Sequence, residues 1–336
     1  MAVTFTNKHN LPQSFVNAIT TDNHVSLGDI SVTQLIDAPQ IRMLKKLHDY
    51  EMDVMDLIAM MIGTGLHKVL EEGDMKGTFN ARTLQKASGV LRELKQDKGA
   101  DYLLKIIETE LKEKIDTDVT VEKTLTIEVA GWVLSGTGDR HTMSLSLLED
   151  YKTATASAVM YPEIKKMWNK QLNVYAVMYR ENGMPVDKAR IIAILKDWSK
   201  MKIMQNKDYP KVPVLMHDIP ILDHDKMFKY IEKRIKLHQR AEAGESIPCT
   251  ANDRWAKPDM WAVKKVGGKR AMKLFLNDTD PIAFIEKKKD LVQGELFVEH
   301  RKGESFRCAN GYCPVSDVCP QYKEELRIAS EEAENL

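Results

Sequence analysis

The chain has 336 residues, with 49 Lys and Arg against 49 Asp and Glu, and is 43% apolar and 29% charged. An apolar share of that size builds a core, which excludes a disordered tail or a collagen-like rod. No run approaches the roughly 18 uninterrupted apolar residues of a membrane span, and the start, MAVTFTNKHNLPQ, lacks the basic-then-apolar order of a signal peptide, so a cytoplasmic protein with no membrane partner is expected. Zero net charge over the whole chain argues against a polyanion partner, but the charge is unevenly placed. Residues 196–307 carry 24 basic and 17 acidic side chains, a net of +7, so the remainder sums to −7.

Residues 1–60 are expected to be helical after a loose start, with Ser31 or Thr33 as a cap. Across 49–72 the apolar residues, from Met52 to Leu70, keep a broad helical rhythm that Gly63 and Gly65 interrupt. Residues 81–111 read as one or two further helices. The period then changes: 119–129 alternates and is rich in β-branched residues, which predicts a strand. Residues 131–139 and 145–152 read as the next two strands of an antiparallel meander. A helix over 167–180 stops at Asn182-Gly183. The apolar run 189–196 predicts a buried strand, parallel to the meander after a helical crossover. Residues 226–240 hold six basic residues and one acid, with Met227, Ile231 and Ile235 at i, i+4 and i+8, giving a helix with one buried stripe and a cationic face. Lys229, Lys233 and Lys236 on that face are candidates for holding DNA phosphates, a solvated helix face being the plainer reading. The fold class expected is therefore α/β: helices, an antiparallel three-strand meander, a crossover helix and a parallel strand over 1–240. A turn-rich, Cys-bearing extension packed on that core follows over 241–322, and an acidic tail over 323–336.

The chemistry concentrates in 131–153. Asp139 ends one predicted strand, and Asp150 and Lys152 lie two apart on the next, hence on one face. Converging carboxylates repel unless a cation sits between them, and Mg²⁺ takes one or two carboxylates while keeping positions for water and phosphate. A nearby lysine can then orient water or stabilise charge at phosphorus. A surface strand with alternating charge is the competing reading of the trio. His67 and Glu71 fall at i and i+4 after two glycines, and Gln171 and Tyr175 repeat that relation on the later helix.

His67 in GTGLH, Asp139 in SGTGD, Asp150-Tyr151-Lys152-Thr153 and Gln171-Leu-Asn-Val-Tyr175, in that order, resemble the RecB-type branch of the PD-(D/E)XK nuclease superfamily, and within it the phage-encoded exonuclease-like members. The resemblance spans roughly residues 28–322. It implies a restriction-endonuclease-like core and phosphodiester hydrolysis, with Mg²⁺ or Mn²⁺ held by Asp139, Asp150, the Tyr151 backbone carbonyl and His67. Lys152 would position the attacking water, Gln171 and Tyr175 would brace the site or touch the DNA strand, and Glu71 is a weaker candidate. Exonuclease action, a role in phage DNA recombination, replication or repair in a host cytoplasm, and a single-strand annealing or recombination protein as partner come from the resemblance alone. The alternative is a non-catalytic DNA-binding or interaction module organised around the cysteines.

Cys249, Cys308, Cys313 and Cys319 are spaced x58, x4 and x5. Clustered thiols in a reducing compartment suggest a metal site. One distant ligand plus a compact triplet is the pattern of many iron–sulfur sites, whereas structural zinc usually shows two close pairs. The segment also resembles the cluster-binding tail of AddB-like and CRISPR-adaptation nucleases, which implies a [4Fe–4S] cluster, with Zn²⁺ or free thiols as alternatives. In those relatives, however, the solitary Cys precedes the nuclease motifs and the triplet starts C-x₂-C. Between the cysteines, Arg254-Trp255, Trp261 and Lys264-Lys265 interleave basic and aromatic residues, a mix that can stack bases or form a small aromatic core. Trp168 and Trp198 read as packing residues.

Overall fold

The computed structural model describes residues 3–21, 27–74, 88–89, 91–93, 95–106, 118–160, 162–288 and 295–334. Its strands in chain order are β1 (Val3–Thr6), β2 (Ile30–Ser31), β3 (Tyr50–Asp53), β4 (Val119–Val129), β5 (Trp132–Thr142), β6 (Leu147–Ala154), β7 (Lys188–Leu195), β8 (Val214–Ile219), β9 (Met260–Lys265), β10 (Ala271–Phe275) and β11 (Leu296–Arg301). The chain forms two compact units, one of Phe5–Ile36 and Met52–Gln239, the other of Met1–Thr4, Asp37–Glu51 and Arg240–Leu336. Among the described residues no helix is long and apolar enough to cross a membrane.

The first unit is built on a mixed sheet. β4, β5 and β6 form the antiparallel meander, β7 runs parallel to β6, and β8 closes the far edge antiparallel to β7. The connection from β6 to β7 is a helix over Pro162–Glu181, which ends where Gly183 adopts φ +76°. Alternation placed β4 correctly because Leu125, Ile127 and Val129 are all buried while Thr124, Thr126 and Glu128 are exposed. The core gathers these with Leu134, Ile191 and Ala193 of the sheet and Leu172, Met178 and Tyr179 of the crossover helix. The stripe of Met227, Ile231 and Ile235 is buried on the helix His224–Glu242 as its spacing requires. Ser31 does start a helix: its hydroxyl accepts from the Gln34 backbone N–H, and the Gln34 side chain accepts from the Ser31 N–H, a reciprocal cap.

Two local expectations need correcting, and a third lies mostly outside the described residues. The run 49–72 is not one helix: 50–53 is β3, and the helix is Ile58–Asp74, which continues through Gly63 and Gly65. Isolated glycines lower helix stability by about 1 kcal/mol each relative to Ala, too little to break a helix held by its neighbours. The expected helices over 81–111 lie largely outside the described residues, apart from a helix over Asp97–Ile106. The region after 240 is not merely turn-rich: β9 is the middle of a three-stranded antiparallel sheet ordered β10-β9-β11, with a helix over Thr279–Lys288 against it, and the acidic tail is helical over Pro320–Glu334.

Candidate active site

The site arises from an interruption in the sheet. One edge of β5 is paired along its length by β4. The other edge is shared: β2 takes Leu134 and Ser135, and β6 takes Arg140 to Thr142. Gly136 to Asp139, the SGTGD segment, falls between these two pairings. The β5–β6 ladder has Arg140 opposite Glu149, so one step further along Asp139 and Asp150 face each other where the strands part. Backbone N–H groups need partners wherever a ladder stops, and Asp139 supplies one, its Oδ2 accepting from Tyr151 N–H at 2.6 Å. The two glycines admit the crossover helix: a Cβ on Gly136 would lie 2.7 Å from a Tyr175 ring carbon, and one on Gly138 would lie 2.4 Å from the Tyr179 hydroxyl.

Asp139 and Asp150 are 7% and 4% exposed. Burial first, and the neighbouring Asp150 charge second, push the Asp139 carboxyl up to about 7. Lys152 Nζ stands 2.7 Å from Asp150 Oδ2, yet that oxygen has no aligned hydrogen bond, so the cation is close but does not saturate the carboxylate. On the Asp139 side, His67 Nδ1 is 3.7 Å from Asp139 Oδ1, and His67 Nε2 is 3.0 Å from the Tyr151 carbonyl oxygen. The Glu122 carboxylate, and with it Asp139, raises the His67 pKa against the effect of its burial.

Four of the residues expected from sequence, His67, Asp139, Asp150 and Lys152, thus come together with the Tyr151 carbonyl. Gln171 lies within hydrogen-bonding reach of the buried Tyr175 hydroxyl, whose pKa is raised by burial and by Asp150 and Asp139. Glu71 pairs instead with Lys68 at 2.7 Å. The sequence reading missed Glu122. In the β4–β5 register it stands opposite Asp139, and its backbone is left-handed at φ +47°. Among the described residues, His67, Glu122 and Asp139 form the one group of three metal-capable side chains whose ligand atoms lie within 4.8 Å of one another. Glu122 looks like a solvent-side residue of an alternating strand, and nothing in its sequence context marks it.

These charges fix a pH dependence. A carboxyl raised from 3.8 to about 7 binds more protons in the folded than in the unfolded state across that interval, so stability falls as pH rises through it. Metal-free protein will lose urea resistance between pH 4 and 7, and Asp139→Asn will flatten that slope. The raised His67 acts in the same direction above its unfolded pKa near 6.5, so its effect lies at the upper end of the window. An unchanged slope in Asp139→Asn would place the titration elsewhere.

The cysteines occupy the second unit. All four line one pocket with Gln40 and Arg307. The Cys249 backbone N–H donates to both Gln40 and Gln321 side-chain oxygens, at 3.0 and 2.8 Å, and the Gln40 amide reaches Cys319 Sγ at 3.4 Å. Arg307 makes a two-pronged pair with Asp37, at 2.8 and 3.0 Å. Burial pushes the Cys249 thiol up to about 12 and Cys308 up to about 11. Among the described residues no three of these sulfurs all lie within 4.8 Å of one another. On the basic helix, Lys229, Lys233 and Lys236 are exposed as expected, with Lys236 paired to Glu232 at 2.5 Å.

No family model matches the chain, and no curated protein matches it. Solved structures similar to it include SSO0001, at 18% identity and TM-score 0.37 over 65% of this chain and 80% of that one. A protein named as an exonuclease from Eubacterium rectale is 16% identical, with TM-score 0.28 over 54% and 70%. A phage related exonuclease from Haemophilus somnus 129PT is 14% identical, with TM-score 0.26 over 48% and 74%. These overlaps are loose, and the functional reading rests on the site geometry instead.

Proposed function

We propose that the chain is a divalent-metal-dependent DNA nuclease, with exonuclease action preferred. The observation that carries this is the meeting of Asp139 and Asp150 at the strand fork, with Lys152 beside one and His67 beside the other. Two buried carboxylates left to each other repel, and a bound cation would relieve both the raised Asp139 carboxyl and the Asp150 oxygen that has no aligned hydrogen bond. Asp139, Asp150, the Tyr151 carbonyl and His67 would hold Mg²⁺ or Mn²⁺, with Glu122 as an additional ligand or as the partner that orients His67. Such a cation, when bound, polarises the phosphoryl oxygens and lowers the pKa of water. Lys152 would orient the attacking water and balance charge at phosphorus, while Tyr175, braced by Gln171, would shape the wall of the site.

For the cysteine pocket we favour a [4Fe–4S] cluster over Zn²⁺, because one distant thiol joined to a compact triplet is the pattern of many iron–sulfur sites and all four thiols line one cavity. Lys229, Lys233 and Lys236 would track DNA phosphates. A phage recombination, replication or repair setting, with an annealing or recombination protein as partner, is the expectation drawn from the sequence resemblance. The decisive experiment incubates the purified protein with end-labelled linear and circular DNA in Mg²⁺, in Mn²⁺ and in neither. Metal-dependent loss of linear DNA with circles spared is the expected result. No cleavage in either metal would remove the nuclease reading and leave DNA binding alone.

A further inference from the structure

Two arginines line the cysteine pocket, and each carries a buried donor with nothing to donate to. Arg254 and Arg307 border the pocket together with Cys249, Cys308, Cys313 and Cys319. Their backbones are tied, Arg307 N–H donating to the Arg254 carbonyl at 3.0 Å. Arg254 Nη1 donates to Ser305 Oγ and to a Glu325 carboxylate oxygen, both at 2.7 Å. Arg307 holds Asp37 through both of its terminal nitrogens. In each guanidinium the remaining Nε–H is buried and has no acceptor.

Buried N–H groups are nearly always paired, and an exception calls for a cause, such as an ion or group that the site takes up. Two exceptions on one pocket call for a shared cause. The thiols as they stand do not supply it, because a protonated Cys is a weak acceptor. Burial pushes Cys308 up to about 11, against the Arg254 charge. It raises Cys313 as well, against the Val315 backbone hydrogen bond and the Arg307 charge. Metal-bound thiolates and bridging sulfides are different: they carry negative charge and accept N–H groups well. Four thiolates around Zn²⁺ or around an oxidised [4Fe–4S] core leave about two negative charges in a buried site, and donors beside the sulfurs offset them.

We infer that Arg254 and Arg307 are positioning residues for the metal group of the cysteine pocket, their Nε–H groups donating to its sulfurs and favouring its more negative state. The inference rests on a metal group being held there and on nothing at the strand fork.

The test purifies the full chain without oxygen and reads the reduction potential of the brown protein by dye-mediated titration. Arg254→Lys keeps a cation for Glu325 but removes the Nε–H. It will shift the equilibrium about 5-fold toward the oxidised form, about 40 mV lower for a one-electron couple. Glu325→Gln breaks the same ion pair, leaves the Nε–H in place and removes a negative charge, so its potential will rise. A merely structural role would move both variants the same way, and that result, or a wild-type potential in Arg254→Lys, would overturn the inference while leaving the cluster in place. Arg307→Lys carries the same readout if Arg254→Lys does not fold. A colourless protein with one zinc would overturn the cluster reading instead. Competition with a chromophoric chelator then decides, with zinc held about 5-fold less tightly in Arg254→Lys expected and equal affinity overturning the inference. Protein that takes up neither iron and sulfide nor Zn²⁺ would overturn both.

Discussion

Asp139→Asn and Lys152→Ala will each slow metal-dependent cleavage by on the order of 10³-fold, and will move stability in opposite directions. Without metal, Asp139 is a buried carboxyl held against a second carboxylate. An amide of the same shape can still accept from Tyr151 N–H but removes the repulsion, so metal-free Asp139→Asn will melt above wild type at pH 8. Lys152→Ala takes away the cation 2.7 Å from Asp150 and leaves a buried charge uncompensated. Breaking a fully buried pair costs about 3–5 kcal/mol, and the partial exposure of Lys152 reduces that cost without changing its sign. Matched losses of activity with diverging melting temperatures are a signature that general unfolding cannot produce. Cleavage that survives in both variants would mean that this fork is not the reacting centre, and a fall in melting temperature in both would overturn the repulsion between the two carboxylates.

Cysteine replacement should have the largest effect on stability. Thiolate–metal sites in small domains contribute on the order of 10 kcal/mol, comparable to the whole stability of a domain. Cys313 is 6% exposed and packs with Ala38, Ile41, Leu44 and Val315. Protein purified without oxygen is expected to be brown, with iron near four per chain. Cys313→Ala will lose the colour and become open to proteolysis within 240–334, while fragments of the first unit persist. Because the bare thiols are held protonated by burial, loading will release protons and weaken as pH falls. A colourless protein with one zinc per chain would establish the other metal, and protein with neither would identify the pocket as plain thiol packing.

Much of the first unit could be read from residue order because its signals are local. Alternation over 119–129, the stop at Asn182-Gly183 and the apolar run at 189–196 each reflect one element's own burial, and β4, the crossover helix and β7 followed. Asp150 and Lys152 were placed together by strand period alone. What escaped was set by pairing between distant segments. β2 is two residues long and exists only because Ile30 and Ser31 meet Leu134 and Ser135. Glu122 acquires its position from the β4–β5 register and an unusual φ. The cysteine pocket borrows Gln40 and Asp37 from 209 and 270 residues away. The sheet after residue 260 was hidden because Lys, Met and Gly blur its alternation.

The fork also makes the four-residue turn at 143–146 a measuring device. Asp139 and Asp150 stand opposite each other only because each lies the same number of steps from that turn along β5 and β6. An extra residue there, unless taken up as a bulge in the turn, would move one carboxylate a step past the other and turn it to the opposite face of the sheet. The spacing of the reacting groups is therefore encoded in the length of a turn that touches none of them.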